Sequence, residues 1–333
     1  MTARPGQLPE QAIDRLILEI FRERGGIVSG ADLAGLLKVS RTAVWKHVSG
    51  LREQGYQILA RRSSGYQLID SPDILSPAAV TAGLQTNCLG QRVICVAETG
   101  STNADASRLA EEGAPEGTVV IADSQKQGKG RLGRIWHSPP GSNLYCSLIL
   151  RPRILPVAAT QLTFLSAVAV ARAIESVTPL KPSIKWPNDI LLNERKVAGL
   201  LNEMSAETER VNYVILGIGV NLNICADQFP EDLRHPATSL FIEGGRKVSR
   251  LQFVRALLLA LDELYGAYLR DGFEPVRAEW LNRCDMMGRE VSVSGGSEQF
   301  AGTASGLDEG GALLVNRSDG ILARVLAGDV RVI

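Results

Sequence analysis

Between residues 92 and 220 the chain carries apolar runs of strand length: RVICVA, TVVIAD, NLYCSLIL, DILLN, KVAGLLNEM and NYVILGIGV. Short runs rich in Val, Ile and Leu read as strands, and NLYCSLIL is apolar on both faces, so it requires cover on both. Helical runs lie between or after them, notably at 161–177 and 251–269. A large sheet with helices packed on it buries this material, which predicts an α/β (α+β) layered central domain spanning residues 71–284. The 333 residues leave room for more than this one unit, at roughly 150 residues per domain.

The segment 1–70 has a different character. Ile13, Leu16, Ile17, Ile20 and Phe21 form a helical stripe, and Ser29 to Asp32 offers a capping box for a second helix ending near Leu37. Ser40 can cap a third, with Val44, Val48 and Leu51 on its inner face. The opposite face carries Thr42, Lys46 and Ser49, with Trp45 and Arg52 on its flanks. YQILARRSSGYQLI then reads as a hairpin with Arg61 and Arg62 at its tip, the wing of a winged helix-turn-helix. From Lys38 to Tyr66 the cations Lys38, Arg41, Lys46, Arg52, Arg61 and Arg62 face one acid, Glu53. Clustered cations on a small helical unit predict DNA binding, with Thr42, Trp45, Lys46, Ser49, Arg61 and Arg62 as contacts; a merely solvated face is the alternative. A linker is expected from Asp70–Pro72 to Pro77. The segment 285–333, with short strands separated by glycine-rich turns, predicts a small β-barrel.

Bulk properties narrow the setting. The 36 basic and 36 acidic residues cancel, so an anionic partner must be held by a local patch. Arg172 and Asp262 interrupt the longest apolar runs, so no membrane span is expected, and MTARPGQLPEQ lacks the apolar core of a signal peptide. The five scattered cysteines predict reduced thiols, no zinc site and a cytoplasmic protein.

The chemistry concentrates in SQKQGKGRLGRIW, residues 124–136. GKGRLG satisfies G-x-G-x-x-G, but Pro139, Pro140 and Gly141 block the helix that a dinucleotide turn must open. No acid occurs from Ser124 to Ile174 to hold a ribose, and Lys129 is followed by Gly130 rather than the Ser or Thr of a Walker loop. What remains is a mobile loop with Lys126, Lys129, Arg131 and Arg134 uncompensated by a nearby carboxylate, able to fold over an anionic ligand; an exposed basic surface loop is the alternative. SIKWPNDILL adds Lys185, Trp186, Asn188 and Asp189 around a proline turn, and RKVAGLL adds Lys196 beside Gly199.

With ETGSTN at 98–103, GKGRLGRIW, KWPND and KVAG in this order, followed by GVNLN and ATSL, the sequence resembles the biotin–protein ligases, specifically the bifunctional ligase and biotin operon repressor type, over essentially the whole chain. The resemblance implies a central mixed-sheet domain like that of class II aminoacyl-tRNA synthetases. It implies activation of biotin with ATP and Mg²⁺, and transfer of the biotinyl group to a lysine of the biotin carboxyl carrier protein of acetyl-CoA carboxylase. Operator DNA and a homodimer formed with the adenylate bound are the further partners it implies. By the same resemblance Ser101, Thr102, Asn103 and Gln125 line the biotin pocket, and Gly128, Lys129, Gly130 and Arg131 form the loop over the intermediate. Trp136 closes over the adenylate (a core aromatic is the alternative), Lys196 contacts the reacting carboxylate and phosphate, and Asp189 orients or deprotonates the incoming lysine. Asn188 is structural. Lys129 departs from the frequent Arg, and Leu132 stands where relatives can carry another Arg, which makes the loop less basic. A lipoate–protein ligase and a non-catalytic ligand-sensing regulator are the competing readings.

Overall fold

The computed structural model describes residues 10–61, 64–70, 73, 75–233, 235–295 and 298–333. The chain forms two compact units, one comprising residues up to Gln85 with Ser249–Leu251, the other Thr86–Val248 with Gln252–Ile333.

The first unit contains α1 (Glu10–Arg24), α2 (Gly30–Leu37), α3 (Arg41–Glu53), β1 (Gln57–Arg61), β2 (Gly65–Asp70) and α4 (Pro77–Thr81). Both expected caps form: Ser29 Oγ accepts from the Asp32 amide at 3.0 Å and Ser40 Oγ from the Ala43 amide at 3.1 Å. Ile17, Leu33, Val44, Val48 and Leu51 are fully buried where these helices meet. β1 and β2 pair antiparallel, and Val28 extends the wing through reciprocal 2.8 Å hydrogen bonds with Tyr66. Gly65 permits that approach: its φ is +123° and a Cβ there would lie 2.1 Å from the Val28 carbonyl oxygen. Arg52 donates through Nε and Nη2 to the Ile58 carbonyl at 2.8 and 2.6 Å, so this cation holds the wing to α3.

The second unit is built on a seven-stranded sheet. Its strands are β3 (Arg92–Thr99), β4 (Thr118–Gln125), β5 (Leu144–Leu150), β6 (Ser183–Lys185), β7 (Asp189–Leu192), β8 (Arg195–Ala206) and β9 (Val211–Val220), in the order β3-β4-β5-β9-β8-β7-β6. β3 and β4 are parallel and the other pairs antiparallel. The helices are α5 (Thr102–Glu111), α6 (Gln161–Val177), α7 (Leu240–Gly244), α8 (Arg250–Asp271) and α9 (Glu274–Asn282). α5 packs on β4, β5 and β9 through Ala106, Ala110, Val120, Ile149 and Ile215. On β9, Tyr213 and Ile215 share that face with Gly217 and Gly219 by strand alternation. The body of the helix therefore covers one end of the face, and at the glycine end Asn103 of its first turn and Trp136 lie against the strands.

Arg172 does not break the apolar run as expected: by length and composition alone the 22 residues Pro156–Val177 could cross a membrane. Burial explains their composition: Leu162, Leu165, Val168 and Ile174 of α6 have no exposure, and the helix packs against β8, β9 and α9.

The C-terminal strands β10 (Glu290–Gly295), β11 (Glu298–Leu307), β12 (Leu313–Arg317), β13 (Leu322–Val325) and β14 (Asp329–Val332) form an antiparallel sheet in the order β13-β12-β11-β10-β14. The expected barrel takes the form of this small sheet; among the described residues β13 and β14 share no ladder that would close it. Trp186 Nε1 donates to the Gly311 carbonyl at 3.2 Å and Arg277 Nη1 to the Leu307 carbonyl at 2.8 Å, tying these strands to the β6–β7 turn and to α9.

Candidate functional site

The glycine end of the central sheet borders a cavity of about 640 Å³. Gly199 of β8 pairs with Gly219 of β9, and Leu201 with Gly217. A Cβ on Gly219 would lie 2.7 Å from Trp136 Cε2, one on Gly199 2.9 Å from Trp136 Cζ3, and one on Gly217 2.2 Å from Asn103 Oδ1. Glycine inside a strand marks such close approach. The G-x-G of NYVILGIGV was therefore a legible signal for a seat on the sheet.

One end of the cavity is polar and buried. Ser101 precedes α5, and Thr102 and Asn103 open it; the three are 4 to 5% exposed. Gln125 Oε1, at the end of β4, accepts from the Thr102 amide at 2.9 Å, while Gln125 Nε2 donates to Ser138 Oγ at 3.0 Å. Ser147 Oγ lies 2.8 Å from Thr102 Oγ1 and 2.6 Å from Asn103 Oδ1. Asn103 Nδ2 donates to the Leu201 carbonyl at 3.1 Å and to Glu203 Oε2 at 2.6 Å. These fixed donors and acceptors suit a small polar ring bearing both kinds of group.

The glycine-rich loop forms one side of the cavity as a tight hairpin. Gly130 N donates to the Arg134 carbonyl at 2.7 Å and Trp136 N to the Gly128 carbonyl at 2.8 Å. Leu132 turns it in the left-handed region at φ +56°, with its side chain 76% exposed. Lys129, Gly130, Arg131 and Trp136 line the cavity. Gly128 does not; a Cβ there would lie 2.4 Å from the Trp136 carbonyl oxygen, so this glycine lets the hairpin close.

Opposed charges occupy the middle. Lys196 Nζ is 2.6 Å from Asp189 Oδ1 and 5.4 Å from the Trp136 ring centroid. Trp136 Nε1 is buried over Gly219 and has no hydrogen-bond partner among the described residues. Arg131 Nη1 donates to Asn188 Oδ1 at 3.2 Å, and Asn188 Nδ2 to the Leu200 carbonyl at 2.7 Å. Arg134 pairs with Asp329 of β14 at 2.6 Å. Beside these, Lys185, His235 and Arg331 line an adjoining recess. Burial lowers the Lys185 pKa, assisted by Arg331 and Lys196 and opposed by Asp189 and Asp329. Burial likewise lowers the Arg131 guanidinium, against the pull of Asp189 and Asp329. An anion placed here would relieve both.

The sequence reading missed the far wall. Phe229, Pro230, Asp232, Leu233 and His235 all line the cavity. Lys196 N donates to the Pro236 carbonyl and Thr238 N to the Lys196 carbonyl, both at 2.9 Å, which brings this segment beside β8. Its signal was Phe229 and Leu233 inside an otherwise acidic loop, too weak to stand out.

The second candidate surface lies on the first unit. Thr42, Lys46 and Arg61 are exposed, Trp45 is 58% exposed, and Ser49 is half-buried. Arg62, expected at the wing tip, lies outside the described residues.

Comparison with known proteins bears on both surfaces. Residues 14–67 match an HTH domain, 93–221 the biotin/lipoate A/B protein ligase family, and 287–332 the biotin protein ligase C terminal domain. The bifunctional ligase/repressor BirA of Bacillus spizizenii is 41% identical over 94% of this chain and 97% of its own length. This chain belongs to the biotin–protein ligases. Another relative, the biotin–[acetyl-CoA-carboxylase] ligase of Paracoccus denitrificans, is 37% identical and matches 66% of this chain over 92% of itself. The solved biotin protein ligase from Aquifex aeolicus in complex with biotin and ATP is 30% identical, with a TM-score of 0.64, over 73% of this chain and 100% of that one. Biotin–protein ligases thus occur both with the full span of this chain and with about two thirds of it.

Proposed function

We propose that this chain forms biotinyl-5′-AMP from biotin and ATP and transfers the biotinyl group to one lysine of the biotin carboxyl carrier protein of acetyl-CoA carboxylase, and that it represses transcription at biotin operon operator DNA. The observation that carries the reading is one cavity with a buried hydroxyl–amide end and a cationic middle covered by a hairpin loop. In the first step a carboxylate oxygen of biotin attacks the α-phosphorus of ATP and pyrophosphate leaves. Two anions must meet, so the site must supply positive charge. Lys196 and Arg131 supply it at the reacting groups, with Lys129 beside them, and Lys185, Arg134 and Arg331 stand in and around the recess for the departing pyrophosphate. In the second step the carrier's ε-amine attacks the acyl carbon, the bond to AMP breaks and the amine sheds a proton. Asp189, a carboxylate on the cavity wall, orients that amine or takes its proton once Lys196 has turned to the ligand.

Ser101, Thr102, Asn103 and Gln125 hold the ureido ring of biotin, and Trp136 covers the adenylate. Mg²⁺ would arrive with ATP and supply further positive charge at the phosphates, beside Lys196, Arg131 and Lys129. Thr42, Trp45, Lys46, Ser49 and the wing arginines contact the operator, and a homodimer formed with the adenylate bound would read two half-sites. Both activities belong in the cytoplasm, where ATP, carrier and operator meet. Incubation with labelled biotin, ATP and a carrier domain tests the enzyme. ATP-dependent labelling of one carrier lysine is expected. Labelling only with lipoate, or no labelling with retained biotin binding, would replace this reading with a lipoate ligase or a non-catalytic regulator.

A further inference from the structure

The outward face of α3 is a stripe of Thr42, Trp45, Lys46 and Ser49, spaced i, i+3, i+4 and i+7, opposite the buried Val44, Val48 and Leu51. Trp45 is the one large apolar residue on it and is 58% exposed. Among the described residues it has no aromatic or cation–π partner. Scattered exposed apolar side chains such as Leu36 and Ile27 also occur on this unit and need no explanation. Trp45 differs because it sits mid-stripe on the helix that a helix-turn-helix presents to the major groove.

The stripe carries a single cation, Lys46, so phosphate attraction is not its main work. The seven-residue step from Thr42 to Ser49 advances about 10 Å, roughly three base pairs. Within the major groove thymine alone shows a methyl group, at C5, beside the O4 acceptor. An indole has the complementary pattern: a broad apolar face and one N–H that only donates. Cytosine would oppose a donor to that N–H, while adenine and guanine offer acceptors but no methyl.

We propose that Trp45 is a specificity-determining residue that seats its indole on the C5-methyl and O4 edge of a thymine in each half-site. The inference rests on the DNA-binding reading of this unit and names the base it selects.

The test begins with duplex DNA enriched by the full-length chain from a random library, with biotin and ATP present. Each thymine is then replaced in turn by deoxyuridine, which removes only the methyl group. One position per half-site should weaken wild-type binding about fourfold, the factor expected from burying one methyl group. Trp45→Ala should bind the unmodified duplex more weakly and be indifferent to deoxyuridine at that position, whereas Trp45→Phe should remain sensitive to it. A scan with no sensitive thymine overturns the proposal, and the scan uses wild-type protein, so no variant's folding affects it. Sensitivity that survives in Trp45→Ala also overturns it, assigning the methyl to another side chain. Enrichment of no sequence at all would instead remove the DNA-binding reading, and this inference with it.

Discussion

Gly219→Ala isolates the part played by the glycine seat under Trp136. The new Cβ would lie 2.7 Å from Trp136 Cε2 and Nε1 and 3.1 Å from Cζ2, and no backbone atom is among its nearest neighbours. Ordinary contact needs about 3.5–4 Å, so the indole must lift by roughly 1 Å while the strands stay paired. Lifting it disturbs the 5.4 Å approach to Lys196, a cation–π contact of about 0.5–2 kcal/mol, and displaces the surface proposed to cover the adenylate. A loss of about 1.4 kcal/mol in adenylate binding corresponds to a tenfold faster release. The assay is dissociation of labelled biotinyl-5′-AMP, with a thermal melt to show that the fold persists. In a Trp136→Ala background the same substitution should add almost nothing, because the group it displaces is gone. An unchanged release rate, or an equal loss in the Trp136→Ala background, would refute the seating of Trp136 on Gly219 as a determinant of retention.

Lys196→Ala should slow ATP–pyrophosphate exchange on the order of 100-fold, the range for removing one electrostatic contact to a transition state; a wild-type rate would remove Lys196 from the chemistry. Arg131→Ala should instead release the intermediate early and biotinylate bystander lysines, read by mass spectrometry of an added unrelated protein; undiminished selectivity would count against it. Asp329→Asn breaks the partly exposed ion pair with Arg134 and should shift adenylate release only a few-fold, since such a pair contributes about 1 kcal/mol or less. Gly65→Ala, with its Cβ against the Val28 carbonyl, should lower the melting of the first unit by more than about 2 kcal/mol and abolish operator binding while ligase turnover continues; intact DNA binding would contradict the wing geometry.

The legible parts of the sequence share a physical cause. Ser29 and Ser40 forecast their helix starts because capping is local chemistry, settled within three residues. The strands from Arg92 to Val220 were visible because burial leaves an apolar record, although the three-residue β6 is too short to leave one. Arg52 counts among the clustered cations on the flank of its helix, and only the tertiary approach of Ile58 shows it serving the wing. Gly128 looked like ligand-contacting backbone, whereas its neighbour is Trp136 across the hairpin. The wall residues Phe229, Pro230, Asp232, Leu233 and His235 were hidden because they form no motif, and their place depends on the pairing of Ala237 with Lys196.

The same geometry explains how one loop can serve both catalysis and signalling. The hairpin at 128–136 has the biotin and ATP cavity on its inner side, and the ion pair from Arg134 to Asp329 ties it to the C-terminal sheet. Its outer side, from Lys126 to Ile135, borders a second groove with Leu201 and Glu203. Leu132 and Ile135, which border that groove, are 76% and 87% exposed, and Ile135 also borders the cavity. An adenylate held between Arg131, Lys196 and Trp136 would stiffen this hairpin from within and fix those apolar side chains in one arrangement. If two copies associate through them, ordering beforehand would lower the entropy cost, and ligand and dimer would reinforce each other without touching. Sedimentation with a saturating non-hydrolysable adenylate analogue should therefore show tighter self-association than with the analogue absent. Equal association constants would confine the hairpin to catalysis and leave the DNA-binding unit answering to another signal.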